Sequence, residues 1–351
     1  MSFKKNIELA IQVIGENTND DYKIDPTAHV GEFEQTAPEI CEILKKSKVQ
    51  AVAEEYKKWD QLAIAAQNKF KSLSRWTSWT IIGSAICAAG VLVISILAEG
   101  AAVSGGDNPV LTGSSRALTA IFALGGIFFG ASASSLLNLI RSGRLLEKWM
   151  QNRAEAEMRR LKYFKLVTSP QSELPANTSA PVPLLQLEYF RRFQLDVQKT
   201  FYTTRGGQHD SSAQKALLFS SLAMGVAALA NGASGYLGST MSIKLTAVAA
   251  ISIVAKAFVT KISNTEALNQ DSRNAERYQR TASVLRHLRG RLDDVRTQVA
   301  QGNLDTLANF VEAVHEQLSL EHRQWLENQA QAGTAIGHFE KQLNELKKHQ
   351  E

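Results

Sequence analysis

Charged residues are missing from long stretches of this chain and crowded into the sequences between them. Three ranges contain no Asp, Glu, Lys or Arg: 76–98, 117–140 and 216–243. A fourth apolar segment, 241–260, contains Lys244 near its start and Lys256 further along. A helix needs about 20 mostly apolar residues to cross the hydrocarbon core of a bilayer. We therefore predict an all-α integral membrane protein with four transmembrane helices in two hairpins and long cytoplasmic helices.

The sequence before the first apolar segment has the period of an amphipathic helix. From Ile40 to Leu73 apolar residues recur mostly three or four positions apart, which indicates one apolar stripe. Pro38 suits a first helical turn, and neither Pro nor Gly follows before Gly83. An unbroken helix over 38–98 is predicted.

The second half follows a similar plan. An amphipathic lead over 184–202 comes before a polar break at 203–210, and a charged exit helix is expected to begin near Asn264. No proline follows Pro183, so this tract is predicted to be almost wholly helical.

Proline marks the boundary between the halves. Four of the seven prolines fall within residues 169–183, a range that also contains Ser, Asn and Thr and is typical of a linker. The predicted order is a polar N-terminal segment, a first two-transmembrane unit, the linker, a second two-transmembrane unit and a polar C-terminal helix extension: 1–35, 36–168, 169–183, 184–328 and 329–351.

Small residues within the apolar segments are the candidates for helix packing in the membrane, because they let helix backbones approach closely. They are Gly83, Cys87, Gly126, Gly130, Ser134, Ala223 and Ala227. Lys256 and Asn231 are the polar candidates for a pore or an interface. A lysine near a helix end also reaches the interface by extending its side chain, so an interfacial position for Lys256 stays open.

The charged residues indicate how the predicted helices are oriented in the membrane. The net charge is +5, the isoelectric point is about 9.1 and the mean hydropathy is −0.16. Lys and Arg flank the apolar segments on the side of the termini and the linker, whereas the loops within the two hairpins are poor in them. The positive-inside rule then places both termini on the cytoplasmic side of the membrane. Two distant cysteines, Cys41 and Cys87, suggest no disulfide framework.

Candidate chemistry is sparse. The sequence contains no phosphate-binding glycine loop and no nucleophile motif. His315 and His322 share a helix face but lack the partners of a metal site, so no cofactor or metal is expected. Basic residues alternate with acidic ones, as in 291–296, which is typical of ion-paired helices and argues against nucleic-acid binding. An enzyme is not expected.

Two stretches carry a family resemblance. Aromatic and basic residues at 189–202 precede the second apolar pair, and the run from Phe310 to Trp325 ends in Ser319-Leu320-Glu321-His322-Arg323-Gln324-Trp325. This closing Ser-x-Glu-His-x-x-Trp pattern resembles the SLATT group of two-transmembrane domains that are associated with nucleotide-signalling and SLOG systems. The first half is similar to a sister type, with Tyr56-Lys57-Lys58-Trp59 before its apolar pair and Trp149 after it.

The resemblance implies a tandem pair of such domains and a membrane effector of bacterial antiphage conflict systems. It implies homo-oligomerisation and permeabilisation of the membrane, or an ion channel, triggered by a cytosolic defence partner protein or a nucleotide second messenger. The chain has no fused SLOG or nucleotide-synthesising domain. Two alternatives stay open: a non-conducting membrane scaffold that recruits a cytosolic defence enzyme, and a soluble α-helical pore-forming protein. Ser319, Glu321, His322 and Trp325 are more simply interpreted as a structural motif than as a ligand site.

Overall fold

A computed structural model describes residues 3–18, 21–103, 109–170, 180–236, 250–262 and 270–348, and leaves aside the side chains of 96–97, 99–103, 109–113, 227, 230–236 and 328–348. Every regular element within these ranges is helical, which confirms the all-α class. The elements are α1 (Phe3–Ile14), α2 (Pro26–Phe33), α3 (Pro38–Leu44), α4 (Ser47–Val103), α5 (Pro109–Ser142), α6 (Leu145–Thr168), α7 (Val182–Phe190), a π-helical turn (Arg191–Asp196), α8 (Val197–Tyr236), α9 (250–262), α10 (Asp271–Gly290), α11 (Leu292–Ala300) and α12 (Leu304–Lys348).

Proline begins several of these helices. It occupies the first helical position of α2, α3 and α5, where the missing N–H has no intrahelical partner to lose. At α2 the Asp25 carboxylate also accepts a hydrogen bond from the Ala28 backbone N–H at 3.1 Å. Helices α1 and α2 lie in the segment 1–35, for which the sequence suggested only polar character.

The predicted unbroken helix over 38–98 is wrong at its start. Helix α3 ends at Leu44 and α4 begins at Ser47, so the chain turns at Lys45-Lys46. The Gln50 side chain donates a hydrogen bond to the Leu44 carbonyl oxygen at 2.8 Å, which satisfies one of the terminal carbonyls of α3. From Ser47 onward α4 is continuous through 57 residues.

The polar break predicted at 203–210 is also wrong, because α8 runs straight through it. Gly206 and Gly207, which fall within the predicted break, lie in the helix interior. A Cβ placed on Gly206 would be 3.4 Å from the Gln279 side chain and 3.5 Å from that of Tyr278. This close packing against α10 offsets the conformational cost of glycine in a helix.

The chain forms two compact units that interleave along the sequence. The first, here called the polar-core unit, consists of Met1–Ala65, Glu147–Asp210 and Arg273–Glu327. The second, here called the apolar unit, consists of Ala66–Leu146, Ser211–Ser272 and Asn328–Glu351. Each compact unit contains residues from both of the two-transmembrane units predicted at 36–168 and 184–328. That these two are a tandem pair of similar domains stays a prediction.

The polar-core unit is built around the segment 184–198. Every residue of this segment is buried, including polar ones such as Arg191 and Gln194. The helix predicted over 184–202 is present, but its predicted amphipathic pattern is wrong over 184–198, since no face of that segment meets solvent. Its aromatic side chains pack with residues of α1, α3, α6, α11 and α12 in one hydrophobic core.

The apolar unit contains the apolar parts of the long helices. Two described helical ranges are long and apolar enough to cross a membrane: Ser47–Ser95 and Ser114–Thr168. In the second range only 22% of the most apolar window is buried within the protein, whereas a core helix of a soluble protein buries most of such a window. The third and fourth apolar segments, 216–243 and 241–260, extend into residues outside the described ranges.

Candidate functional site

The first candidate site is the contact between α4 and α5 in the apolar unit. A Cβ placed on Gly83 would lie 3.0 Å from the Phe129 ring. A Cβ placed on Gly125 would lie 3.0 Å from the Cys87 sulfur. Glycine thus lets each helix receive a side chain from the other, which is how small residues act in membrane helix pairs.

Gly83 and Cys87 were predicted packing residues, whereas Gly125 was not; Gly126, Gly130 and Ser134, which were also predicted, follow along α5. The Ser84 hydroxyl lies 3.5 Å from the carbonyl oxygen of Gly126, and a Cβ on Gly130 would be 4.0 Å from that hydroxyl. Ser134 is half-buried further along α5. Gly90 makes the tightest approach, since a Cβ there would lie 2.5 Å from Phe122. Gly90 was not predicted as a packing residue, although it lies seven residues after Gly83, two helical turns along the same face.

Hydroxyl groups of α4 are satisfied within their own helix. Thr77 donates to the Leu73 carbonyl at 2.9 Å, and Ser78 donates to the Ser74 carbonyl at 3.0 Å. Thr80 donates to the Thr77 carbonyl at 2.8 Å. A polar group in an apolar environment must find such a partner, so these residues are compatible with lipid surroundings.

Large apolar side chains stand exposed on the apolar unit. Phe128 of α5 is 68% exposed, and Leu217 and Leu229 of α8 are 72% and 76% exposed. Six other apolar side chains of these two helices are also more than half exposed: Ile121, Leu124, Ile127, Leu218, Phe219 and Leu222. Large apolar side chains exposed in this number mark contact with a membrane or another apolar surface.

The remaining predicted residues of the apolar segments have different positions. Ala223 is half-buried on α8, and Lys256 is exposed on α9. Lys256 lies two residues from both Val254 and Phe258, so it projects from the opposite side of the helix. The side chains of Ala227 and Asn231 lie outside the described residues.

The second candidate site is a buried ion network around the π-helical turn. Arg191 is completely buried. Its guanidinium donates to Glu188 at 2.6 Å, to Asp196 at 3.1 Å and to Glu16 at 3.2 Å. It also donates to the Gly15 carbonyl oxygen. The wide turn brings Arg191 and Asp196, five residues apart, within reach of each other; π-helical turns occur frequently at functional sites.

Arg192 extends the network to the N-terminal helices. It donates to both carboxylate oxygens of Asp21, at 2.8 and 3.1 Å, and to Glu32 at 2.6 Å. Burial raises the pKa of Asp21, but the hydrogen bonds from Arg192 and Thr18 outweigh it and hold that pKa below its ordinary value.

Two further arginines close the network from the C-terminal helices. Arg296 donates to both oxygens of Glu188, at 2.6 and 2.9 Å, and Arg289 donates to Asp196 at 3.0 Å. Each central carboxylate is thus held between arginines of different helices. Sequence reasoning missed this network, although paired arginines inside an aromatic-rich segment were a visible signal.

A chain of hydroxyl groups adjoins the network. The Tyr163 and Tyr189 hydroxyls lie 2.7 Å apart, and the Tyr189 hydroxyl lies 2.6 Å from Nδ1 of His29. Burial raises the pKa of both tyrosines and lowers the pKa of His29 to about 4. All three side chains are therefore neutral near pH 7.

The closing motif residues meet in a third cluster of the polar-core unit. Glu321 accepts a hydrogen bond from the Tyr202 hydroxyl at 2.7 Å and lies 3.1 Å from Nε of Arg277. Arg277 also donates to Asn274 at 2.7 Å. Burial raises the pKa of Glu321, and the nearby Arg277 opposes that rise. Glu321 thus joins α8, α10 and α12 through polar contacts.

Aromatic contacts complete the third cluster. The His322 ring stacks on Trp325, with ring centres 5.6 Å apart and planes at 20°. Trp325 meets the edge of Trp149 at 5.5 Å. Ser319 is half-buried one turn before His322. The structure thus brings Glu321, His322 and Trp325 into one packed region, in keeping with the interpretation of a structural motif. Within the described residues no three His, Cys, Asp or Glu side chains are placed to hold a metal ion.

Comparisons of the chain with protein-family models, with curated proteins and with solved structures return no match.

Proposed function

We propose that this protein is a membrane effector of a bacterial antiphage system. In this proposal it oligomerises in the inner membrane and permeabilises it, or opens an ion pathway, when a cytosolic partner protein or a nucleotide signal acts on the polar-core unit. The observation that carries the proposal is the exposed apolar surface of α5 and α8, with Phe128 at 68% and Leu217 at 72%. Covering such surface with lipid recovers about 25 cal/mol for each Å² removed from water.

The proposed arrangement has four spans in two hairpins, with both termini in the cytoplasm. Ser47–Ser95 and Ser114–Thr168 contain the first two spans. Exposed apolar residues of α8, such as Leu222 and Leu229, support the third. The fourth continues from 241 through α9. The Lys and Arg residues that flank these segments favour the cytoplasmic side for the termini and the linker.

The route for a signal in this proposal is along continuous helices. Helix α4 contributes residues to the polar-core unit up to Ala65 and to the apolar unit from Ala66. Helix α8 does the same at Asp210 and Ser211. A continuous helix transmits rotation and tilt along its length. A rearrangement of the ion network would therefore rotate or tilt the transmembrane parts of these helices. The SLATT-like closing motif at Glu321 supports assignment to an antiphage system.

A second candidate function is a non-conducting scaffold that anchors a defence enzyme. One groove between the helices of the apolar unit favours this function. The described residues that line it are Ile, Val, Ala, Gly and Phe alone, so its described lining has no acidic or basic side chain.

Membrane potential in phage-challenged cells separates these candidates. Cells expressing the full chain with its native gene neighbours are challenged with phage while a potential-sensitive dye is recorded. The effector proposal expects depolarisation before lysis, and its loss in Gly90→Leu but not in Gly225→Leu, because no atom of the described residues lies within 4 Å of a Cβ at Gly225. Protection with an intact potential would favour the scaffold. If the cells show neither protection nor depolarisation with any phage tested, both the effector and the scaffold are contradicted.

A further inference from the structure

Two grooves cross the apolar unit where α8 faces α9. One has a volume of about 710 Å³ and the other about 690 Å³. Ala223, Val226 and Phe258 line both grooves, so the two are parts of one longer depression.

The lining residues show that α8 and α9 run antiparallel along this depression. Ala223 and Val226 share one groove with Ala250 and Ile251, from the start of α9. Residues earlier in α8, from Ser212, share the other groove with the end of α9 at Ile262. The beginning of the α8 stripe and the end of α9 therefore lie at the same end of the depression.

That end is cationic. Lys215 of α8 and Lys261 of α9 both line it, and Nζ of Lys261 lies 3.4 Å from the centre of the Trp79 ring. Asp271 is the acidic side chain of the described lining, so the two lysines leave a positive balance there. At the other end the lining is wholly apolar, with Ile86, Val93 and Phe122 among its members.

One cationic end joined to a long apolar depression matches one class of molecule. We propose that this depression binds an anionic diacyl phospholipid of the surrounding bilayer. The phosphate lies between Lys215 and Lys261, and the acyl chains follow Phe219, Val226 and Phe258. Basic pockets between transmembrane helices are a known means of binding anionic headgroups. This inference rests on the proposed membrane placement of the apolar unit.

Native mass spectrometry of the full chain in detergent tests the site. Purified protein is titrated with dioleoyl phosphatidylglycerol and, separately, with dioleoyl phosphatidylcholine. We expect one phosphatidylglycerol retained per chain, with a preference of about tenfold over phosphatidylcholine. The double substitution Lys215→Gln and Lys261→Gln is expected to abolish the preference.

Two further variants separate the headgroup from the apolar part of the site. Lys256→Gln removes the same charge from the exposed opposite side of α9 and is expected to leave lipid preference unchanged. Ala223→Phe fills the region shared by the two grooves without touching either lysine, and is expected to lower retention of both lipids by about tenfold while the helical content is preserved.

Several outcomes would overturn the lipid site. They are equal retention of the two lipids, complete displacement of phosphatidylglycerol by inorganic phosphate, and a dimer in which a second copy of the chain covers the depression and excludes lipid. If the protein stays in membranes through an alkaline wash but shows one of these results, the lipid site fails and the proposed membrane placement stands. If the protein is recovered in the soluble fraction, the proposed placement fails and the lipid site fails with it.

Discussion

At the scale of single residues, the polar-core unit depends on charges that have been removed from water and paired. A buried ion pair adds little net stability compared with an apolar pair, but removing one partner leaves an uncompensated buried charge, which costs about 3–5 kcal/mol. Arg191, Arg192 and Arg296 are each buried and each hydrogen-bonded to carboxylates from other parts of the chain. Such residues specify one packing arrangement more than they strengthen it.

Glu321 gives the first prediction. Glu321→Ala leaves Arg277 without its carboxylate and the Tyr202 hydroxyl without its acceptor, so we expect the free energy of unfolding of the full chain in detergent to fall by about 3–5 kcal/mol. Urea titration followed by tryptophan fluorescence measures the change. Glu312→Ala is the matched control, since Glu312 pairs with Lys165 at 3.5 Å with both side chains largely exposed, and we expect a change below about 1 kcal/mol. Equal effects of the two variants would contradict the interpretation of Glu321.

His315 gives a prediction about pH. Burial lowers its pKa to about 4, whereas the unfolded chain has an ordinary imidazole pKa near 6.5. As pH falls, the unfolded state therefore takes up a proton first, so stability that is present above pH 6.5 is lost between pH 6.5 and pH 4. At pH 5 we expect a loss on the order of 2 kcal/mol from this residue.

The contribution of His315 is isolated by comparing the wild type with His315→Leu. Carboxylates such as Asp21 and Asp196 contribute to both proteins and cancel in the difference. We expect unfolding of His315→Leu to depend less on pH between 6.5 and 4, while His287→Leu, at an exposed position, follows the wild type. Parallel pH profiles for wild type and His315→Leu would show that His315 takes no part.

At the scale of elements, glycine sets the distance between α4 and α5. A leucine in place of Gly90 would collide with Phe122, because a Cβ alone would lie 2.5 Å from that ring. We expect Gly90→Leu to destabilise the folded protein in mixed detergent by about 1–3 kcal/mol, measured by sodium dodecyl sulfate titration with circular dichroism.

Gly225→Leu on α8 is the control for this element, since a Cβ there has no atom of the described residues within 4 Å. Leucine is the better helix former, so Gly225→Leu should leave stability unchanged or raise it by up to about 1 kcal/mol. The packing role of Gly90 would be refuted by Gly90→Leu behaving like Gly225→Leu.

Element boundaries show where sequence reasoning works and where it stops. Uncharged segments and helical periodicity were enough to predict helices over α4, over α5 and over the apolar part of α8. The turn at Lys45-Lys46 was invisible, because both residues are good helix formers and the turn is fixed by tertiary contacts of α3. The opposite error arose at Gly206, where packing against Tyr278 and Gln279 holds a helix that the local sequence disfavours.

The candidate sites divide in the same way. Gly83 was predictable because close helix packing requires small residues at a helical spacing, whereas Gly90 and Gly125, which lie at least as close to the facing helix, were not predicted. The ion network was not, since Arg191 meets Glu16 across a sequence separation of 175 residues, and no local pattern encodes such a pair. Glu321 and Trp325 were noticed as a motif, but the partners Tyr202, Arg277 and Trp149 emerge only from the fold.

At the scale of the whole molecule, the proposed topology states on which side of the membrane each polar segment lies. The proposed topology predicts that Leu62→Cys in the polar-core unit, where Leu62 is 43% exposed, reacts with an impermeant maleimide only after the inner membrane is opened. Asp107→Cys, between the first two spans, should react in intact spheroplasts. Cys41 and Cys87 are replaced by alanine in both proteins. Labelling of both introduced cysteines from the same side would contradict the topology.

The central claim is that the apolar unit resides in a bilayer, and an alkaline carbonate wash of membranes tests it most directly. Membranes from cells that express the full chain at a low level are washed at about pH 11 and sedimented, with a known peripheral protein and a known integral protein followed in the same tube. The account predicts that the chain stays in the pellet with the integral protein. Its release into the supernatant with the peripheral protein would contradict the account and would favour a soluble protein that conceals its apolar helices.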